Sequence, residues 1–600
     1  MSRRVVLSRV RLLVVCCLAL SASCRTTPPP GPAAAPVAAP ARPLLRLTIA
    51  GTNDWHGWLM PHQHRARDGS MVEEGGLPLY AGALDILRTE TQGRLLVVDA
   101  GDVFQGTLVS NLSEGAAMVD AFNALGMQAV AVGNHEFDYG PAGPAPVPQA
   151  PGDDPLGAFK ARVAQARFPF LGENIVEAST GQHPAWLGPG TLLEDVGGVL
   201  VGIVGLATPE TPRTTNPVNV AGLRFLPLAP AVRSAAGRLR AQGADLVVVV
   251  AHAGGACDDL HDPHDLSRCD RGQEIFALLE ALPPGTVDAV VAGHTHRTVG
   301  HFVQGTPVIE TSALGRSFGL IELALDPVTR RPLPAETRIE AEIALCERVV
   351  EGTARCDADA LRSSKPLVGG TLHGQPLRQD AKLQALLAPS LAAVAELQAR
   401  PLGVQVPAAL HRVARGESPL GSTAADALRR MEGADIAILN PGGLRADLAA
   451  GPLTYGRLYE TFPFDNAVAT LQLRPADIRR LLDAFLARGR TPQQSGLRME
   501  IAVCPGGLRL VGLALADGGP LVEGRLYRVV LPDYLARGGD GLEAFMADLP
   551  ADHVDLGDRR PLNLRDALAA DLQKRGEPLV APRSGRTTLV QGGAARCPPG

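Results

Sequence analysis

Hydrophobic and polar positions settle into a regular alternation only after residue 43. From there, short and mostly apolar runs alternate with stretches in which apolar positions recur every three to four residues. Leu44 to Ala50, Leu95 to Val98, Ala129 to Val132, Leu246 to Ala251 and Ala289 to Ala292 are the strand candidates, several apolar at every position, as strands buried on both faces are. Leu77 to Arg88 and Ala116 to Leu125 have helical spacing. Strands alternating with helices predict an α/β layered domain. A Pro/Gly-rich run, 141–157, holds nothing from which to build a core and reads as a surface loop. The pattern thins over 356–374, which is linker-like, and resumes with an amphipathic helix over 377–399, a second over 476–488, and strands near 436–439 and 527–531. The expected organisation is a first domain over 44–345, a linker over 346–375, a second domain over 376–591 and a tail over 592–600. No internal repeat is visible.

The first 43 residues follow other rules. Arg3, Arg4, Arg9 and Arg11 precede an apolar stretch, Leu12 to Ala22, too short to span a bilayer, as in an export signal. Leu20-Ser21-Ala22-Ser23-Cys24 resembles a bacterial lipoprotein signal, with Ser21 standing where an aliphatic residue is usual. Residues 1–24 are therefore expected to be a signal peptide ending at a lipid-bearing Cys24, and the Pro/Ala-rich stretch 25–43 a disordered tether. The expected address is periplasmic or cell-surface, with a lipid anchor in a bacterial membrane. Ordinary cleavage, giving a soluble secreted product, is the alternative. Of nine cysteines, Cys16, Cys17 and Cys24 belong to this segment, which leaves Cys257, Cys269, Cys346, Cys356, Cys504 and Cys597. An even set suits an oxidising compartment, and pairing of sequence neighbours is the simplest of the possible connectivities. None has zinc-site spacing. A length of 600 residues implies more than one domain, and a net charge of −5 without a basic block argues against binding a nucleic-acid polymer.

The candidate chemistry lies at the ends of the strands. Asp54 and His56 follow the first, two residues apart and so on one side of an extended segment. Asp102 follows Gly101 after the second. Gly133-Asn134-His135-Glu136-Phe137-Asp138 follows the third, with Asp138 placed to orient His135 through a hydrogen bond. His252 follows four valines, and Gly293-His294-Thr295-His296 follows the last strand. Ligands gather at the carboxyl ends of strands in α/β sheets. Beyond His56, this set supplies three imidazoles, two carboxylates and one amide, too many for one ion and suited to two. A carboxylate, here Asp102, would bridge metals about 3.5–4 Å apart. Mixed His/Asp/Asn ligation suits zinc, manganese or iron. His62, His64 and the group His261, Asp262, His264 and Asp265 lie in polar, loop-like sequence and are read as solvated loop.

Together these motifs resemble those of the calcineurin-like metallophosphoesterases and, within them, the 5′-nucleotidase family, over roughly Leu44 to Val590. The resemblance implies a four-layer αββα metal domain followed by a separate α/β substrate-binding domain. It assigns one metal to Asp54, His56, Asp102 and His296, and the other to Asp102, Asn134, His252 and His294. His135 and Asp138 match the catalytic pair. Trp55, between the first two ligands, is expected to point away from them. Two cations would make hydroxide available near neutral pH for in-line attack on phosphorus, while His135 offsets charge or protonates the leaving group.

Specificity is expected from the second half. Arg445, in Asn440-Pro441-Gly442-Gly443-Leu444-Arg445, can pair with a carboxylate or phosphate. Aromatic residues are 4% of the chain, so Phe464 and Tyr534 in polar, turn-rich settings are a possible pair of rings around a nucleobase, and Asp540 a possible acceptor for ribose hydroxyls. The plain alternative is that both rings pack a core. The resemblance matches Asn440, Arg445, Phe464 and Asp540 to nucleoside-binding positions and puts Tyr534 where a stacking Phe is expected. It puts Arg415 near another family Arg and implies a rotation of the domains; Asp426, in the following helix, reads as structural. The expected activity is phosphate removal from 5′-nucleotides, with nucleotide sugars and cyclic nucleotides in view. A related two-metal hydrolase such as a thiosulfohydrolase, and a non-catalytic surface lipoprotein, are the alternatives.

Overall fold

The computed structural model describes residues 44–413, 415–558, 562–592 and 597. The expected signal peptide, Cys24 and the tether lie outside them. The first domain stacks two six-stranded sheets. One runs, in spatial order, 338–344, 317–325, 45–52, 95–99, 129–131 and 170–171; the other runs 299–303, 306–310, 289–292, 246–252, 199–207 and 191–196. The run Leu246–His252 shows why such strands are apolar throughout. Leu246, Val248 and Val250 enter the core between the sheets, while Val247, Val249 and Ala251 face the helices 228–241 and 274–280 outside. In the other sheet Leu96 and Val98 point to the shared core, and Leu95 and Val97 to helices 77–91 and 116–125. Two-sided burial of both sheets gives four layers, αββα. Parallel pairing of 45–52, 95–99 and 129–131, and of 199–207, 246–252 and 289–292, brings the carboxyl ends within each set to one edge.

The second domain is built on a five-stranded mixed sheet, 493–495, 436–439, 527–532, 468–473 and 554–555. Helix Pro475–Ala487 covers one face through Ile478, Leu481, Leu482 and Phe485. Helix Pro419–Met431 covers the other through Leu420, Ala424 and Leu428. A three-stranded sheet, 507–515, 497–504 and 587–591, completes it.

The stretch expected as a linker is folded. Residues 348–350 pair with 367–369, and Val349, Val350, Cys356 and Leu361 bury against Ala66 and Val72. The following helix spans Ala381–Ala399 and starts four residues later than its periodicity predicts, because the Asp380 carboxylate caps it, accepting from the Leu383 N–H at 2.6 Å. The chain reaches it by crossing helix 77–91 at Gly82, where a Cβ would lie 1.9 Å from the Arg378 carbonyl oxygen. The six remaining cysteines pair as neighbours: Cys257–Cys269, Cys346–Cys356 and Cys504–Cys597. No helix among the described residues is long and apolar enough to cross a membrane.

Candidate metal centre and substrate cavity

The polar residues after the five strands converge, but not in the extended form expected for Asp54 and His56. The strand stops at Thr52. Asp54, His56, Asp102, His294 and His296 have φ of 52°, 48°, 58°, 87° and 56°. Left-handed backbone costs a non-glycine residue on the order of 1 kcal/mol. Long-range hydrogen bonds impose it: Asp54 N–H donates to Gly101 O at 2.9 Å, His56 N–H to Asp102 O at 2.9 Å, and Leu314 N–H to Asp54 O at 2.8 Å. Trp55 is fully buried against Tyr80 and Phe122, away from the cluster.

Two groups of ligand atoms form. Asp54, His56, Asp102 and His296 each offer one within 4.8 Å of the others, as do Asp102, His252 and His294. Asn134 Oδ1 lies 3.1 Å from His252 Nε2 and so joins the second. Tautomers follow from the carbonyls. His56 Nδ1–H donates to Gln105 O and His252 Nδ1–H to Ala100 O, both at 2.8 Å, so each ring turns Nε2 inward; burial lowers His252 but Asp102 outweighs it and raises it to about 10, so a cation binding there would displace its proton. His56 Nε2 then faces His296 Nε2 at 3.0 Å, and His252 Nε2 faces Asp102 Oδ2 and His294 Nδ1 at 3.1 Å each. The Asp54 carboxylate takes Asn53 Nδ2–H and the His294 N–H on Oδ2, while Oδ1, fully buried, faces His296 Nε2 at 3.3 Å. Imidazole nitrogens and carboxylate oxygens that converge this closely inside the protein fit a divalent cation. Burial, with Arg445 next, holds His56 well below its ordinary pKa, and burial with His252 brings His294 to about 3, so both rings stay in the neutral form that binds metal. Burial would raise Asp54 and Asp102, but His296 and His252 respectively hold them below the usual carboxylate range.

His135 and Asp138 meet across one turn of 3₁₀ helix, with Nδ1 to Oδ2 at 2.5 Å. Thr215 Oγ1–H donates to the other Asp138 oxygen at 2.7 Å. Burial disfavours the charged ring, but Asp138 and Asp102 outweigh it and hold His135 above its ordinary value. Its Nε2 lies 4.0 Å from Asp102 Oδ2.

Several supporting residues were not anticipated. Glu136, 1% exposed, accepts from the N–H groups of Asp102 (3.0 Å), Gly133 (2.7 Å) and Val103 (2.7 Å) and ties two ligand loops together. Burial, with Asp102 beside it, pushes its carboxyl up to about 8. Glu310 accepts from Gly255 N–H, Thr295 N–H and Thr295 Oγ1–H, bracing the loop that carries His294 and His296. The available signal was an acid closing an apolar strand, Thr306–Glu310.

A cavity of about 1050 Å³ adjoins this cluster. Asp102, Asn134, His135, Asp138, His294 and His296 line it from the first domain, and Arg415, Asn440, Arg445, Phe464, Tyr534 and Asp540 from the second. Arg445 Nη2 comes within 2.9 Å of His56 Nε2, and the Phe464 ring lies 5.7 Å from that of His135. Tyr534 donates its hydroxyl to Arg213 O at 2.6 Å and accepts from Asp540 N–H at 2.9 Å, so the polar atom added to the expected ring is satisfied. Arg415 is exposed at the rim. The 141–157 loop is more than surface: Gly143, Pro144 and Pro146 line the cavity, and Asn219 holds the Pro146 carbonyl at 2.9 Å. Asp426 is engaged by Arg586 and Ser495, as a structural residue would be. His62 stacks on Trp58 and donates to Leu314 O, and His64 pairs with Glu74, while His261 and His264 lie in the disulfide-closed loop.

Comparison with known proteins gives the same division. The calcineurin-like phosphoesterase family model matches residues 47–298, and the 5′-nucleotidase C-terminal domain model matches 394–547. The endonuclease YhcR of Bacillus subtilis is 25% identical over 502 residues, 82% of this chain but 37% of that longer protein. A 5′-nucleotidase of Vibrio cholerae is 24% identical over 83% of this chain and 85% of its own. The crystal structure of a 5′-nucleotidase precursor from Thermus thermophilus superposes with a TM-score of 0.71 at 25% identity, covering 91% of this chain and 99% of that one. The fold alone is shared with the sulfate thiohydrolase SoxB of Thermus thermophilus, at a TM-score of 0.65 and 18% identity over 91% of this chain and 96% of that one.

Proposed function

The chain belongs to the 5′-nucleotidase family of the calcineurin-like metallophosphoesterases and is a metal-dependent phosphoesterase; on that premise we propose that it is an exported hydrolase removing phosphate from 5′-nucleotides, with nucleotide sugars and cyclic nucleotides as the wider substrate class. The observation that carries this reading is one cavity lined at once by the cation-binding cluster and by Asn440, Phe464, Tyr534 and Asp540. Asp54, His56, Asp102 and His296 would hold one divalent cation, and Asp102, Asn134, His252 and His294 a second, of zinc, manganese or iron. Bound there, such ions supply a nucleophilic water near neutral pH and polarise the phosphoryl oxygens.

The chain's own groups do the rest. Arg445, with its guanidinium at the cluster, receives the charge of the phosphoryl group. His135, its Nδ1 fixed by Asp138, directs Nε2 into the cavity to protonate the departing ribose 5′-oxygen as its bond to phosphorus breaks. Asn440 and Asp540 hold the nucleoside, Phe464 and Tyr534 offer ring faces to the base, and Arg415 adds positive charge at the rim. Three disulfides, with the charged and apolar pattern of the N-terminus, support export and anchoring through Cys24.

The test is product analysis with AMP, UDP-glucose and a cyclic nucleotide under added zinc, manganese or iron. Adenosine and phosphate from AMP are expected. Failure of AMP with every metal, together with sulfate release from an S-sulfonated thiol, would replace the reading with that of a different two-metal hydrolase.

A further inference from the structure

We propose that Arg490 sets the sugar specificity of the nucleoside pocket, by fixing Asp540 so that its second carboxylate oxygen faces the vicinal hydroxyls of a ribose. The inference rests on the nucleotide reading above and deepens it.

Asp540 sits in the turn Gly538–Gly541, with φ 56° and 2% exposure. Its backbone N–H is taken by the Tyr534 hydroxyl. One oxygen, Oδ1, pairs with Arg490 Nη1. The other, Oδ2, is buried and has no hydrogen-bond partner, although the residue lines the cavity. A buried acceptor without a donor is costly, so its natural complement is a ligand that brings one. An ionised carboxylate accepts only, which selects a hydroxyl donor and rejects a phosphate.

Other charges nearby are committed elsewhere. Arg488 pairs with Glu210 at 3.0 Å, and Arg213 with Glu543 at 3.2 Å, which leaves Arg490 as the cation in direct contact with Asp540. Asn440 and Tyr534 are the uncharged polar groups facing it. Burial pushes the Asp540 carboxyl up, and Arg490, then Arg488, hold it back. Arg490 side-chain exposure is 38%, so it lies at the wall of the cavity rather than in the core. Asp540 thus touches the sugar, and Arg490 acts through it as a positioning residue.

A hydrogen bond to a buried charged acceptor is worth a factor of about 10 to 100. In the full chain, kcat/KM for AMP should exceed that for 2′-deoxy-AMP by about that factor. In R490Q the ratio should fall to about threefold or less, through a rise in the AMP KM with kcat within about twofold. R490K should restore part of the preference. The AMP KM of R490Q should also worsen as pH falls from 8 to 6, because the unneutralised acid takes up a proton, while the wild-type KM stays flatter. Calorimetric binding of adenosine against 2′-deoxyadenosine reads the same preference without turnover. If AMP is not hydrolysed but wild type prefers adenosine and R490Q does not, the nucleotidase reading fails and this one stands. An unchanged ribose preference in R490Q, with only a lower melting temperature or an equal loss for both sugars, would overturn it.

Discussion

Glu136 offers the sharpest probe of how the centre is held. Its two carboxylate oxygens take three backbone N–H groups, from Asp102, Val103 and Gly133, all inside the protein. Glu136→Gln keeps the shape and replaces one acceptor by an NH₂ group. The amide oxygen can turn to serve Asp102 and Gly133, which share Oε2, and the NH₂ then meets the Val103 N–H head on. One buried donor is left without a partner, at a cost of about 1–3 kcal/mol. The turn bearing Asp102 loosens as well, and loss of such outer-shell support lowers metal affinity by about 10- to 100-fold. Above about pH 8, where Glu136 is ionised, urea unfolding should show the destabilisation, and equilibrium dialysis against zinc or manganese the affinity change. Unfolding within about 0.5 kcal/mol of wild type, with an unchanged metal dissociation constant, would refute the view that Glu136 holds the ligand loops.

Three further outcomes are expected. Asp102→Ala should abolish AMP turnover and reduce bound metal, since this residue contributes to both ligand groups; retention of both ions in an active variant would remove its bridging role. His135→Ala should cut turnover by about 100-fold or more with metal content near normal, and a matching loss of metal would make it a structural residue instead. Burial pushes Glu460 up to about 7 from an ordinary 4.5, with Arg457 as the countering charge. The folded state therefore holds more protons than the unfolded one between those values, and the stability Glu460 gives is full below about pH 4.5 and lost as pH rises through 7. Glu460→Gln should match wild type near pH 4.5 and be more stable by about 1–3 kcal/mol at pH 8; an equal gap at both pH values would contradict this.

What could be read from the sequence, and what could not, divides along contact range. Asp102, Asn134, His252, His294 and His296 lie within about three residues of apolar strands, so local pattern places them at strand ends. The backbone of Asp54 and His56 departs from the expectation because a two-residue spacing looks like strand alternation, whereas hydrogen bonds to Gly101 and Asp102, nearly fifty residues on, turn both into left-handed geometry. Glu136 was visible as a residue but its partners 33 and 34 positions away were not. The 346–375 stretch carries too few apolar side chains to announce a core; it folds because the hairpin 62–74 comes alongside, Glu74 bridging Cys346. Arg490 follows a helix in ordinary polar sequence, and nothing local relates it to Asp540, fifty positions later.

On the proposed function, seven side chains, from Asp54 to His296, would hold divalent cations on which hydrolysis depends. The most direct measurement strips the purified protein with a chelator, counts residual metal by elemental analysis, and follows phosphate release from AMP during back-titration with zinc, manganese or iron. No turnover is expected in the stripped protein, with recovery that saturates near two ions per chain. Undiminished phosphate release from protein shown to carry no metal would contradict it.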